Sequence, residues 1–178
     1  GSRGMVGRAI CRALNRKGYG KENGGELIKT SREVIDFSDQ YKVKKWLEKK
    51  KVDVVIIAAA KVGGILANQS YPTEFLLENL KIQNNLIESS WKFGVKRLLF
   101  LGSSCIYPKF AKQPIKEEYL LTGALEKSNE CYALAKIAGL KLCEALNKQY
   151  KFDAISLMPT NLYGEGDNYH ENNSHVIH

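Results

Sequence analysis

The chain has 178 residues, 44% hydrophobic and 26% charged, a composition that fills one globular core and excludes a disordered chain. Its longest apolar run, residues 54–60, falls short of the ~18 residues a membrane-spanning helix needs, so a soluble protein with no membrane partner is expected. The net charge of +8 suits an anionic small molecule, a nucleic acid or an anionic membrane surface, and the distribution of the cations along the chain has to choose among them.

The first segment, Gly1-Ser2-Arg3-Gly4-Met5-Val6-Gly7, sets small residues where a backbone turns and approaches a pyrophosphate. It runs into a predicted helix with Val6, Ile10 and Leu14 at four-residue spacing, ended by Gly18. Short strands are predicted at 26–29 and around 34–36. An NAD enzyme carries Asp or Glu after the first of these, whereas this chain has Lys29-Thr30-Ser31-Arg32, with Arg3 in the loop nearby. Cations and hydroxyls there favour the 2′-phosphate of NADP. Asp36 is a candidate to meet the adenine, or equally to cap a turn. The next helix, around Val43, Trp46 and Leu47, is predicted to be capped by Ser38 or Asp39. Its lysines, Lys42, Lys44, Lys45, Lys49, Lys50 and Lys51, read as a solvated face. No interleaved aromatic array accompanies them, and no nucleic-acid partner is expected.

Residues 52–59, apolar apart from Asp53, have the pattern of a strand buried on both faces of a parallel sheet, and Ala59 and Ala60 lie at its end. A long helix is predicted from Pro72 to Gly94, with Phe75, Leu76, Asn79, Leu80, Leu86 and Ile87 in helical period. Residues 95–101 read as the next buried strand, ending in Gly102-Ser103-Ser104. The stretch 109–129 reads as an active-site connection, followed by a helix over about 132–150 and a strand at 152–158. Strands alternating with helices predict a doubly wound parallel α/β sheet of the Rossmann type. Its ligands sit at the carboxyl ends of the strands, where Gly1, Ala60, Ser103 and Pro159 fall. In the strand order 3-2-1-4-5-6 a central strand precedes such a glycine loop, and here nothing precedes Gly1. Residues 1–178 are therefore read as the NADP-binding domain of a longer protein, without that first strand and most of a substrate domain.

Chemistry concentrates in Ser103 and in the pair Tyr132 and Lys136. An i to i+4 spacing sets phenol and ammonium side by side on one helix face, where the cation is expected to favour the phenolate and let Tyr132 trade a proton near neutral pH. Ser103, at a strand end, is positioned to hydrogen-bond a substrate oxygen jointly with Tyr132, and Lys136 to reach the nicotinamide ribose. By itself Cys105 reads as a small buried thiol and His175 as a surface histidine. Cys11, Cys105, Cys131 and Cys143 contain no C-x-x-C pair, and His170, His175 and His178 have no recognised metal spacing, so a reducing, cytoplasmic setting and no metal are expected.

Several stretches together carry a family resemblance: Arg3-Gly4-Met5-Val6-Gly7, Ala58-Ala59-Ala60-Lys61-Val62-Gly63-Gly64-Ile65, Ser103-Ser104-Cys105-Ile106-Tyr107-Pro108, Tyr132-Ala133-Leu134-Ala135-Lys136 and Met158-Pro159-Thr160-Asn161-Leu162-Tyr163-Gly164. In these the chain resembles the GDP-L-fucose synthases, extended short-chain dehydrogenase/reductases. The resemblance implies a multifunctional oxidoreductase and isomerase of nucleotide-sugar metabolism. It would epimerise GDP-4-keto-6-deoxy-D-mannose at the two carbons flanking the ketone and reduce the ketone with NADPH. Ser103 and Tyr132 would then hold the C4 oxygen, Lys136 the phenol and ribose, and Cys105 and His175 would exchange protons at C3 and C5. NADP would be lined by Gly1 to Gly7, Arg32, Asp36, Ala59, Ala60, Leu101, Gly102, Ser103, Ser104, Pro159, Thr160, Asn161, Leu162 and His175. A homodimer through helices of the Tyr132 type is implied as well. Cys131 departs from the family, standing where a proline is common. Two alternatives stay open: a 4-epimerase or 4,6-dehydratase that retains NAD, and a non-catalytic dinucleotide-binding module.

Overall fold

In a computed structural model, which describes residues 1–20 and 25–167, helices form where apolar residues recur at helical spacing. Helix α1 spans Met5–Arg16 and is followed by Gly18 at φ 77°, a conformation that suits glycine. Helix α2, Gln40–Lys50, is capped by Asp39, which accepts from the Lys42 N–H at 3.1 Å. Strand β1 is Val54–Ile57, and a short helix α3, Ile65–Ser70, follows where none was predicted. Helix α4, Pro72–Lys92, starts on its proline as expected. Then come β2, Arg97–Leu101, helix α5, Glu130–Tyr150, and β3, Ala154–Leu157.

The three strands are parallel in the order β1-β2-β3, with Ile57 beside Phe100 and Leu101 beside Leu157. Side chains alternate across a strand, and one alternate set carries the core. Ile57, Leu98 and Phe100 join Val43 and Leu47 of α2, Leu86 and Ile87 of α4, and Leu140 and Leu146 of α5 in a single core. The opposite set includes Val54, Ile155 and Leu157, which are 55%, 46% and 52% exposed. The expectation that 52–59 is buried on both faces is corrected accordingly.

The strands predicted at 26–29 and 34–36 are also corrected. Residues 25–30 carry no regular structure, and the Val34 and Ile35 N–H groups both close back onto the Ser31 carbonyl, at 3.1 and 3.0 Å. A strand exists only through a ladder partner, and none of the three described strands runs beside this segment. The connection at 109–129 is irregular apart from single turns at Glu117–Tyr119 and Lys127–Asn129.

Candidate active site

The glycine loop is a contact between backbones. A Cβ on Gly7 would lie 1.9 Å from the Gly1 carbonyl oxygen, and one on Gly1 would lie 2.0 Å from the Ala58 oxygen. Only glycine lets the first turn of α1 sit on the loop and the loop sit on the end of β1. Ser2 fastens the loop outward, its hydroxyl donating to the Thr30 carbonyl at 2.7 Å.

At the end of β2 the chain leaves Gly102, where a Cβ would meet Met158 Sδ at 2.9 Å, and turns into a 3-10 helix, Ser104–Ile106. Ser103 stands at the start of that turn, and its Oγ accepts from the Cys105 Sγ at 3.2 Å. The Ser104 N–H donates to the Pro159 carbonyl at 3.1 Å, which brings the segment after β3 against this turn. Thr160, Asn161 and Leu162 follow with exposed side chains.

From the other side α5 delivers Tyr132 and Lys136. The Tyr132 ring meets Phe75 of α4 edge-on, with centroids 6.3 Å apart and planes at 82°. Lys136 is 5% exposed, and its Nζ donates to the Leu101 carbonyl at 2.8 Å. That ammonium also lies 5.0 Å from the Phe100 ring centroid and 5.6 Å from that of Tyr132. Ser103, Cys105, Tyr132 and Lys136 thus converge at one strand end, while His175 lies outside the described residues.

Their ionisation is governed by burial. Burial pushes the Tyr132 phenol above its ordinary value, Cys105 adds to the rise and the Ser103 hydroxyl opposes it. Burial draws Lys136 down to about 8, with Cys105 pulling the other way. The Cys105 thiol is raised by burial against the pull of Ser103 and then of Lys136. The phenolate expected near neutral pH is therefore corrected: desolvation outweighs the cation, and the Lys136 Nζ is aimed at the Leu101 carbonyl. Tyr132 holds its proton and is a donor.

The far end of the site is an open cleft of about 540 Å3 between the glycine loop, α1 and residues 29–34. Arg3, Arg8, Arg12 and Lys29 line it, a cationic wall suited to a phosphate. Arg3 pairs with Glu33 at 3.0 Å, both side chains being mostly exposed. Arg8 donates to the Gly166 carbonyl at 2.9 Å, and Arg12 lies 3.6 Å from Glu165. Arg32 is exposed, and Asp36 accepts from the Ser38 N–H and hydroxyl at 2.9 and 2.7 Å, so here it closes a turn.

Sequence reasoning overlooked Arg8 and Arg12, although the spacing Gly4, Arg8, Arg12 sets them on one face of α1 behind the loop. It also took Asn79 only as part of a helical stripe. Buried in α4, Asn79 accepts from the Lys61 N–H at 2.9 Å and donates to the Lys61 carbonyl at 3.0 Å, pinning the loop after β1 in which Ala59 and Ala60 lie. A lone amide inside an apolar stripe was the available signal.

Residues 1–178 match the family described as the NAD dependent epimerase/dehydratase family. The chain is 54% identical over 177 residues to GDP-L-fucose synthase 1 of Arabidopsis thaliana, covering 99% of this chain and 53% of that protein. Among solved structures it is 29% identical, with a TM-score of 0.86, to a GDP-L-fucose synthetase from Naegleria fowleri bound to NADP, over 97% of this chain and 56% of that one. It is 37% identical, with a TM-score of 0.89, to a GDP-mannoheptose C4 reductase from Campylobacter jejuni with NADP bound, over 96% of this chain and 49% of that one. The chain spans about half the length of the curated relatives it matches.

Proposed function

Because the chain belongs to the NAD dependent epimerase/dehydratase family, we propose that the intact protein converts GDP-4-keto-6-deoxy-D-mannose to GDP-L-fucose, epimerising two carbons and then reducing the ketone with NADPH. The observation that carries this reading is the convergence of Ser103, Cys105 and Tyr132 at the end of β2, with Lys136 behind them. Similarity to GDP-L-fucose synthases supplies the sugar nucleotide.

The residues present fit a dinucleotide phosphate. The glycines let the loop pack tightly between β1 and the amino end of α1, where backbone N–H groups favour a pyrophosphate, and the cleft beside it is walled by guanidinium and ammonium groups. Gly1 to Gly7, Leu101 to Ser104 and Pro159 to Leu162 would hold the cofactor's length, with Ala59 and Ala60 beside its centre and Arg3, Lys29 and Arg32 at its 2′-phosphate. Bound there, NADPH supplies hydride to the sugar's C4.

The remaining chemistry belongs to the side chains. Ser103 and Tyr132 donate to the C4 oxygen and stabilise the negative charge that develops when an adjacent carbon loses its proton. Cys105 and His175 exchange those protons at C3 and C5. Cys105 rests as a thiol, and Ser103 together with the Lys136 charge keeps its thiolate within reach. Tyr132 finally gives its proton to the C4 oxygen, and its raised pKa keeps that proton available at neutral pH. A cytoplasmic homodimer paired through α5 belongs to the same reading and is checked by sedimentation.

The test follows NADPH consumption with GDP-4-keto-6-deoxy-D-mannose, in this chain and in the intact protein, with NADH in parallel. Turnover by the intact protein that prefers NADPH supports the reading; bound cofactor without turnover overturns it. The likeness to a GDP-mannoheptose C4 reductase favours a second reading, reduction without epimerisation. Solvent deuterium separates the two: epimerisation labels C3 and C5 and is slowed in Cys105→Ser, while a reductase leaves both carbons unlabelled.

A further inference from the structure

Gln83 is a primary amide buried in the middle of the α4 and α5 interface, 2% exposed. An amide there costs free energy unless it is paired, and an aliphatic side chain would fill the space without that cost. Its pairing is specific. The Nε2 donates at 2.6 Å to the backbone carbonyl of Ala135, the residue before Lys136 and three after Tyr132.

That contact depends on a second residue. In an α-helix the Ala135 carbonyl already faces the N–H of residue 139, so an outside donor reaches it only where the helix surface is bare. Residue 139 is glycine, and a Cβ there would lie 2.9 Å from both Cδ and Nε2 of Gln83 and 2.6 Å from Cζ of Phe100. Glycine inside a helix costs about 1 kcal/mol against alanine, and its place here reflects the room it makes for both the Phe100 ring and Gln83. The carbonyl being gripped lies on the turn that points Lys136 at Leu101 and Tyr132 at Phe75.

We propose that Gln83, seated in the notch of Gly139, is a positioning residue that fixes the rotation and height of the Tyr132 and Lys136 turn against the end of β2. The proposal rests on the reading of Tyr132 and Lys136 as the reacting pair. It predicts that a variant with the same volume and no donor keeps the fold and loses alignment.

The test uses the intact protein. Gln83→Met keeps the length of the side chain and removes the donor; Gly139→Ala pushes a methyl into the notch; Leu47→Ala, in the core but on α2, is the structural control. Gln83→Met is expected to lower kcat for reduction by about tenfold or more, with KM and NADPH affinity held within about twofold. It is also expected to displace the titration of Lys136, followed by NMR of 13C-labelled lysine, with Tyr132 and Cys105 the titratable groups that face it. Leu47→Ala is expected to lower the thermal midpoint further and leave kcat and that titration in place. Should Gln83→Met fail to fold, Gly139→Ala carries the same expectations. Absence of wild-type turnover on this substrate sinks the functional reading alone, because the lysine titration needs no substrate. A Lys136 titration that stays put in the variant overturns the positioning role, whatever the turnover.

Discussion

Around Lys136 the candidate site is enclosed: the ammonium, the Tyr132 ring, the Phe100 ring and the Ala135 carbonyl are all gripped by neighbours from α4, α5 and β2. Around Arg3 it is open, a cleft whose cations stand in solvent and meet exposed carboxylates. The two regions meet different demands. A proton donor has to be desolvated and aligned, which takes a core behind it. A phosphate is caught by charge at some distance, and flexible, solvated cations do that well.

Tyr132→Phe attacks the enclosed end most directly: reduction should fall by about a thousandfold with NADPH affinity intact, and undiminished NADPH oxidation would remove the phenol from the mechanism. Next comes the core behind it. Leu98, fully buried under α4 and α5, should cost about 2–5 kcal/mol of stability when cut to alanine, whereas Val34→Ala in the cleft wall should stay within about 0.5 kcal/mol. Equal losses in urea unfolding would erase the contrast between the two regions.

The pH profile sharpens it further. Lys136 is drawn down to about 8, so its charge is present below that pH and lost above it. Reduction should decline as pH rises through about 8, and Lys136→Arg should move that limb upward, since a guanidinium keeps its charge. A flat profile to pH 10 would mean that the charge is not needed. The smallest effect belongs to the open end. Arg3→Ala should weaken NADPH by about fivefold to tenfold and leave NADH alone. Loss of its exposed pair with Glu33 should leave the urea midpoint unchanged, because solvent screens both charges.

Much of this was legible from local pattern. The helices follow the apolar period, and Pro72, Gly18 and Asp39 mark ends where capping chemistry requires them. The convergence of Ser103 with Tyr132 and Lys136 was legible because strand ends in a parallel sheet gather at one side. What failed was non-local. Residues 26–29 have strand composition, but a strand is made by its partner. The sign of the Tyr132 shift was misjudged because spacing reveals a neighbouring cation while burial depends on Phe75, Phe100 and the whole of α4. Gln83 escaped notice because a polar residue in an apolar stripe is defined only by the carbonyl it reaches.

The packing of Gly7 on Gly1, and of Gly1 on Ala58, has a genetic corollary. A saturation scan of this chain should find residue 7 as intolerant as residue 132, although it carries no functional group. Loss there would resemble a folding defect that no added substrate rescues, whereas loss at 132 would leave abundant, cofactor-loaded and silent protein. Reading activity alone, such a scan would count the two positions as equivalent; reading abundance beside activity would separate them.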